Sequence, residues 1–189
     1  MGKPTPLNIA IVGMAPESAH LAPLNDPEWG CWGLAIDPQA PYFQRRFELH
    51  GIEQIKSEVL LGRVQELNTP VYMQAHFVDV RASRAYPLFD IIEDIYPHGY
   101  PRPDQTDWFQ SQIGYMLAMA IYERAAHIGI WGVSAQEQYE EQRPNLDHLI
   151  GIAIGRGIRV TVPVVSGLCK YHALDPQWPE RYGYTAQWK

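Results

Sequence analysis

The sequence predicts an α/β fold of three layers: a mostly parallel sheet of about five strands with helices on both faces. Three observations lead there. Short apolar runs rich in β-branched residues alternate with segments of helical period. Glycine or proline punctuates most of the changes from one to the other. The 189 residues, 46% hydrophobic and 19% charged, suffice for one sizeable core.

The first strand is Ile9-Ala10-Ile11-Val12-Gly13, uncharged and mostly β-branched. Gly13-Met14-Ala15-Pro16-Glu17-Ser18 is the turn beyond it, the place where a parallel sheet points backbone N–H groups outward at a bound anion. Gly13, Met14, Ala15, Pro16 and Ser18 are therefore ligand-binding candidates. The turn has one glycine where a dinucleotide fingerprint has three, and it lacks the lysine of a phosphate-wrapping loop. A tight turn with no ligand is the other reading.

Trp29 to Ile36 reads as a second strand, broken by Asp37-Pro38. Phe47 to Leu49 is a further short extended stretch. Glu53 to Leu67 carries Ile55, Val59, Leu60 and Val64 at helical spacing, and Asn68-Thr69-Pro70 stops it. Val71 to Gln74 is the third core strand. Residues 75 to 105, with Pro87, Pro97, Pro101 and Pro103 around Leu88 to Ile95, read as an irregular functional loop or lid.

The strongest helical pattern runs from about Thr106 to Ala126, with Phe109, Ile113, Met116, Ala120 and Ile121 as its buried stripe. Asp104, Thr106 and Asp107 supply cap and acid at its start. Ile128 to Val133 is the fourth strand. Gln136 to Arg143 is a polar helix or loop, and Asn145 or Asp147 caps a helix that Gly157 stops. Ile158 to Val162 is the fifth strand. Residues 1–166 thus form one domain, and 167–189 an aromatic, proline-broken tail that packs on it or on a second subunit.

Composition excludes several classes. No run approaches the roughly 18 apolar residues of a membrane helix, and the N-terminus has no signal-peptide core, so the expected location is the cytoplasm. Cys31 and Cys169 make neither a disulfide framework nor a metal cluster. Glu48-x-His50 and Gln74-x-His76 are pairs, short of a three- or four-ligand set, so neither metal nor cofactor is expected. A net charge of -6 with no basic stripe argues against an extended duplex nucleic-acid surface.

Ligands of parallel sheets sit beyond the carboxyl ends of the strands. The residues there are rich in amides, hydroxyls and imidazoles, which suits a polar, anionic ligand. His50 can act as a general base, with Glu48 orienting the imidazole, or be a histidine bonded to backbone. Arg45 and Arg46 can clamp a phosphate or be solvated charges. Gln74 and Ser134 follow the third and fourth strands. Ser111 and Gln112, in the first turns of the long helix, can donate to a ligand at its N-terminus or be ordinary helix-start residues. Tyr139, Gln142 and Arg143 can close over it or form a solvated face.

Several of these motifs resemble a family of small proteins from tailed phages and prophages. They are the Ile-Val-Gly-x-Ala-Pro-x-Ser turn, Trp32-Gly33-Leu34, Arg46 to His50, Pro70 to Gln74 and Ser111 to Ala120. Ile128 to Val133, Tyr139-x-x-Gln142-Arg143-Pro144 and Gly155-x-Gly157-Ile158 extend the likeness over residues 8 to 166. More distantly, Gly13, Pro16 and Ser18, then Ser111, Tyr115-Met116 and Ile128 to Gly132, resemble Rossmann-like glycosyltransferases of the bacterial sialyltransferase and motility-accessory groups. Glu17 and Ser134 depart from that pattern. The resemblance implies nucleotide binding by the first turn and the helix near Ser111, with Trp32 at a second strand leading to a ligand contact.

Together these readings make residues 1–166 a Rossmann-like nucleotide-binding domain. Its expected partner is a nucleotide or nucleotide-sugar, with no membrane partner. The expected activity is glycosyl transfer or N-glycosidic cleavage with His50 as base. The alternatives are a non-catalytic protein that sequesters a nucleotide or signalling nucleotide, and a structural accessory protein, either of which can be a homo-oligomer.

Overall fold

The computed structural model describes residues 8–37, 42–57, 60–99, 109–134 and 141–169. Its strands, in chain order, are β1 (Asn8–Val12), β2 (Trp29–Leu34), β3 (Arg45–Phe47), β4 (Val71–Met73), β5 (Ser83–Ala85), β6 (His127–Trp131) and β7 (Arg159–Thr161). They form one sheet in the order β5-β4-β3-β2-β1-β6-β7, and every pairing is parallel. The count is seven strands, not about five. The extended stretch expected at Phe47 to Leu49 ends at Phe47, and β5 lies in the region read as irregular.

The helices are α1 (Pro16–Ala19), α2 (Ile52–Ser57), α3 (Leu60–Gln65), α4 (Leu88–Ile95), α5 (Gln112–Tyr122) and α6 (Arg143–Gly155), followed by a 3-10 turn at Val164–Ser166. α2 and α3 carry the described parts of the helix expected over Glu53 to Leu67, and residues 58 and 59 lie outside the described residues. α5 starts later than Thr106, because Phe109 and Gln110 are not helical. Its cap is Ser111, whose Oγ accepts the Gly114 N–H at 3.0 Å; Asp104, Thr106 and Asp107 lie outside the described residues. α6 begins with Pro144 in its first turn, and no side chain caps it.

Side chains alternate across a strand, so Ile9 and Ile11 face one side of the sheet and Ala10 and Val12 the other. On the first side they meet Trp32, Phe47, Ile128 and Ile130 beneath α4, α5 and α6. α5 is buried nearly all round (Met116 to Ile121) because α4 and α6 flank it. On the other side Ala10, Val12, Cys31, Phe43 and Trp131 form one cluster. Ile55 of α2 and Val64 of α3 cover Val71 and Met73 in another. Each fully buried side chain of this size contributes about 1.5–3 kcal/mol. Helices therefore cover both faces, as expected. No helix among the described residues is long and apolar enough to cross a membrane.

The chain order reverses between β1 and β6, the switch point where open α/β sheets leave a crevice. Here two glycines close it. A Cβ on either Gly13 or Gly132 would collide with the other's carbonyl oxygen, and Gly132 has φ +64°. The N–H groups of Gly13 and Ala15 donate to the carbonyls of Trp131 and Gly132, each at 2.8 Å.

Candidate functional site

With the switch point closed, the open space lies to one side, over the carboxyl ends of β3 and β4. A cleft of about 550 Å³ is lined there by Leu49 and His50 after β3 and by Gln74 after β4. Its opposite wall is the start of α5: Gln110, Ser111, Gln112 and Tyr115. Glu141 and Gln142, just before α6, complete it. Four separate chain segments thus converge where the parallel topology aims its loops.

Glu48 and His50 are its chemical centre. The Glu48 carboxylate is 1% exposed and the His50 ring 43%. His50 Nδ1 lies 2.6 Å from Glu48 Oε1, and the His50 backbone N–H donates to the same oxygen at 3.3 Å. A buried carboxylate on Nδ1 selects the tautomer protonated there and leaves Nε2 as the basic nitrogen. Gln112 Nε2 donates to Glu48 Oε1 at 3.3 Å, tying the first residue of α5 to the pair. Gln74 Nε2 donates to the Leu49 carbonyl at 2.9 Å and holds the loop between them. Glu48 Oε2 and Gln112 Oε1 are buried with no hydrogen-bond partner among the described residues, and native folds leave few such groups unsatisfied.

The α5 wall is strained. Gln110 has φ +45°, and the Phe109 carbonyl accepts the Ser111 N–H at 2.5 Å across it, a three-residue turn in a costly conformation. Ser111 Oγ accepts from Gly114, which leaves its own proton to donate. The N–H groups of Gln112 and Ile113 belong to the first turn and have no partner within the helix.

Of the residues expected to form the site, His50, Gln74, Ser111, Gln112 and Gln142 come together in this cleft, with Glu48 directly behind His50. In the first turn the Gly13 and Ala15 N–H groups face β6 and donate to its carbonyls, so these two donors are not turned toward the cleft. Ser18 is 1% exposed and its Oγ accepts the Gly132 N–H at 2.9 Å, so its hydroxyl points inward. Met14 and Pro16 are exposed but do not line the cleft. Trp32 is fully buried in the core, its ring under the Arg45 guanidinium at 4.8 Å, and cannot reach a ligand from there.

Arg45 and Arg46 are neighbours on β3 and point to opposite faces. Arg45 pairs with Glu123 at 2.5 Å. Arg46 is 4% exposed and its Nε donates to Thr69 Oγ1 at 2.6 Å. Burial lowers its pKa, and the Asp37 carboxylate opposes that. Neither arginine is a solvent-facing clamp. Arg143 pairs with Asp147 one turn on, at 3.2 Å, and Ser134 lies outside the cleft lining. Tyr139 and the tail from residue 170 fall outside the described residues.

Leu49, Gln110, Tyr115 and Glu141 are the lining residues that sequence reasoning missed. Ser111 as cap was the available signal for Gln110, since the residue before a cap borders whatever the helix start faces. Among the described residues no three or more His, Cys, Asp or Glu side chains gather to hold a metal ion. Cys31 is buried, its thiol pushed up to about 11 by burial and then by Asp26, which makes it a poor nucleophile.

The fold and cleft define an α/β protein with an all-parallel sheet and a polar hollow at its carboxyl edge. Compared with known proteins, the chain matches no protein-family model, no curated protein and no solved structure.

Proposed function

We propose that the cleft binds a nucleotide or nucleotide-sugar and that His50 is the general base for a reaction at its glycosidic carbon. The observation that carries this reading is the buried Glu48 carboxylate on Nδ1 of a half-exposed His50 at the cleft wall. That arrangement presents Nε2 as a proton acceptor of fixed direction. The amides of Gln74 and Gln142 offer donors and acceptors suited to a base edge. The α5 start, with Ser111, offers donors suited to a phosphate. A cleft of about 550 Å³ is in the ordinary range for small-molecule sites.

In the proposed step, His50 Nε2 takes the proton of an attacking hydroxyl or water. The oxygen bonds to the anomeric carbon, and the leaving nucleotide or base departs with the electron pair of the broken bond. The more distant sequence likeness to Rossmann-like glycosyltransferases implies the same ligand class.

A thermal-shift panel of nucleotides and nucleotide-sugars, followed by chromatography of the recovered ligand, tests it. Ligand at about 100 times its dissociation constant adds roughly 2.7 kcal/mol of stability. Converted ligand supports catalysis. Stabilisation with ligand recovered intact removes the base role and leaves capture. A panel that leaves the melting temperature unmoved removes the ligand class.

A further inference from the structure

A second hollow, of about 280 Å³, lies at the opposite end of the sheet, where β4 and β5 begin. Its walls are Leu67, Asn68 and Pro70 on one side and Arg81, Ala82 and Arg84 on the other. The walls are fixed to the fold. The Val71 N–H donates to the Ala82 carbonyl at 3.0 Å, and Thr69 accepts from the buried Arg46 at 2.6 Å. Arg84 Nη1 donates to the Ser83 carbonyl at 2.9 Å, folding the guanidinium back along its own strand. Its remaining N–H groups are left over.

Neither Arg81 nor Arg84 forms an ion pair with any described residue. Among the described residues no carboxylate lines the hollow. In a chain of net charge -6, two guanidiniums with no ion-pair partner among the described residues, beside an amide in one concavity, stand against the general charge balance. Like charges in a shared recess repel, and an anion between them relieves that repulsion. The guanidinium fork matches phosphate oxygens two at a time.

We infer that this hollow is a second ligand site, taking a small phosphate-type dianion held by Arg81 and Arg84 with the Asn68 amide as a further donor. It is independent of the His50 cleft. The anion can be free phosphate or the phosphate of a nucleoside monophosphate.

The test is a titration of the 15N-labelled full chain with inorganic phosphate, chloride being withdrawn to hold ionic strength constant. Expected are saturable shifts at the amides of Asn68, Ala82 and Arg84. Affinity should fall about tenfold or more in Arg81→Gln and in Arg84→Gln and stay unchanged in His50→Ala. Both arginines are exposed, so these variants keep the fold. Arg81→Lys, which keeps the charge and loses the fork, should fall between. A parallel titration with a nucleoside monophosphate separates the sources: tighter binding at the same amides assigns the anion to a nucleotide, equal binding to free phosphate. Shifts that do not saturate, that gather at Ser111 and Gln112, or that survive in the double Arg81→Gln, Arg84→Gln variant overturn the inference.

Discussion

His50 and Glu48 are two residues apart in the chain, yet one is 43% exposed and the other 1%, with Nδ1 and Oε1 2.6 Å apart. Because β3 ends at Phe47, the chain can turn between them and bury the acid behind the imidazole. If His50 is the base, His50→Ala should cut turnover of a panel-identified ligand by about 10²–10⁴-fold. Binding, read by thermal shift, should change only a few-fold. Glu48→Gln should lose rate as well, because an amide no longer enforces the Nδ1 tautomer. Full turnover in His50→Ala would remove the base assignment.

Gly13 and Gly132 face each other across the ends of β1 and β6 with no room for a Cβ. Gly13→Ala should destabilise the fold by about 1–3 kcal/mol, the cost of an overpacked interior. Gly132→Ala should cost more, since its φ of +64° adds backbone strain to the collision. Chemical denaturation measures both. Ligand binding at the His50 cleft should persist while the variants remain folded, because neither glycine lines it.

Asp94 lies in the last turn of α4 and accepts from Arg124, after α5, at 2.5 Å and from Arg156, after α6, at 2.6 Å. Burial by itself raises the Asp94 pKa, but the hydrogen bonds from Arg124 and Arg156 outweigh it and hold the carboxyl below its usual range. A depressed folded pKa means that the stabilisation is present above the unfolded value of about 4. It is lost as pH falls through the lower folded value. Asp94→Asn should therefore lower stability by about 1 kcal/mol at pH 7 and flatten the acid limb of a melting-temperature profile. An unchanged acid limb would show that the three-helix tie adds nothing.

His127 begins β6 with its Nε2 2.8 Å from Thr161 Oγ1 and its ring 4.6 Å from that of Trp29. Burial, then the charge of Arg159, lowers its pKa from 6.5. The folded chain keeps the ring neutral at a pH where the unfolded chain already binds a proton. Stability should fall as pH drops below about 6.5 and level off beneath the folded value. His127→Phe should show a smaller loss of melting temperature between pH 7.5 and 5.5 than the parent chain.

The centre of this fold was legible in the sequence because its signals agree with one another. β1 is an uncharged β-branched run ended by glycine, and the body of α5 shows an unbroken helical pattern with high-propensity residues. β5 was not legible: Ser83-Arg84-Ala85 is polar, three residues long and at the sheet edge, so it has no period to detect. α4 was hidden by prolines read as loop signals. Pro87 immediately precedes its first residue and Pro97 lies beyond its end, both positions where proline does no harm.

The strand-end rule found His50 and Gln74, since parallel topology places them together, and the donors of a helix start pointed to Ser111 and Gln112. The same rule put Arg46 past a strand end, whereas it lies within β3, where side chains alternate between the two faces. Which of two neighbours, such as Arg45 and Arg46, faces a given side depends on register with partners that spacing does not reveal.

The strands under the cleft, β3 and β4, have three residues each, whereas β1, β2 and β6 at the centre have five, six and five. A short ladder near an edge opens more readily than the middle of a sheet. Amide exchange should therefore be fastest on the flank that carries His50 and Gln74, and an occupant spanning those two residues should slow it there first. Seated on that flank, the occupant would clamp the protein's most easily frayed pages together while leaving its spine untouched.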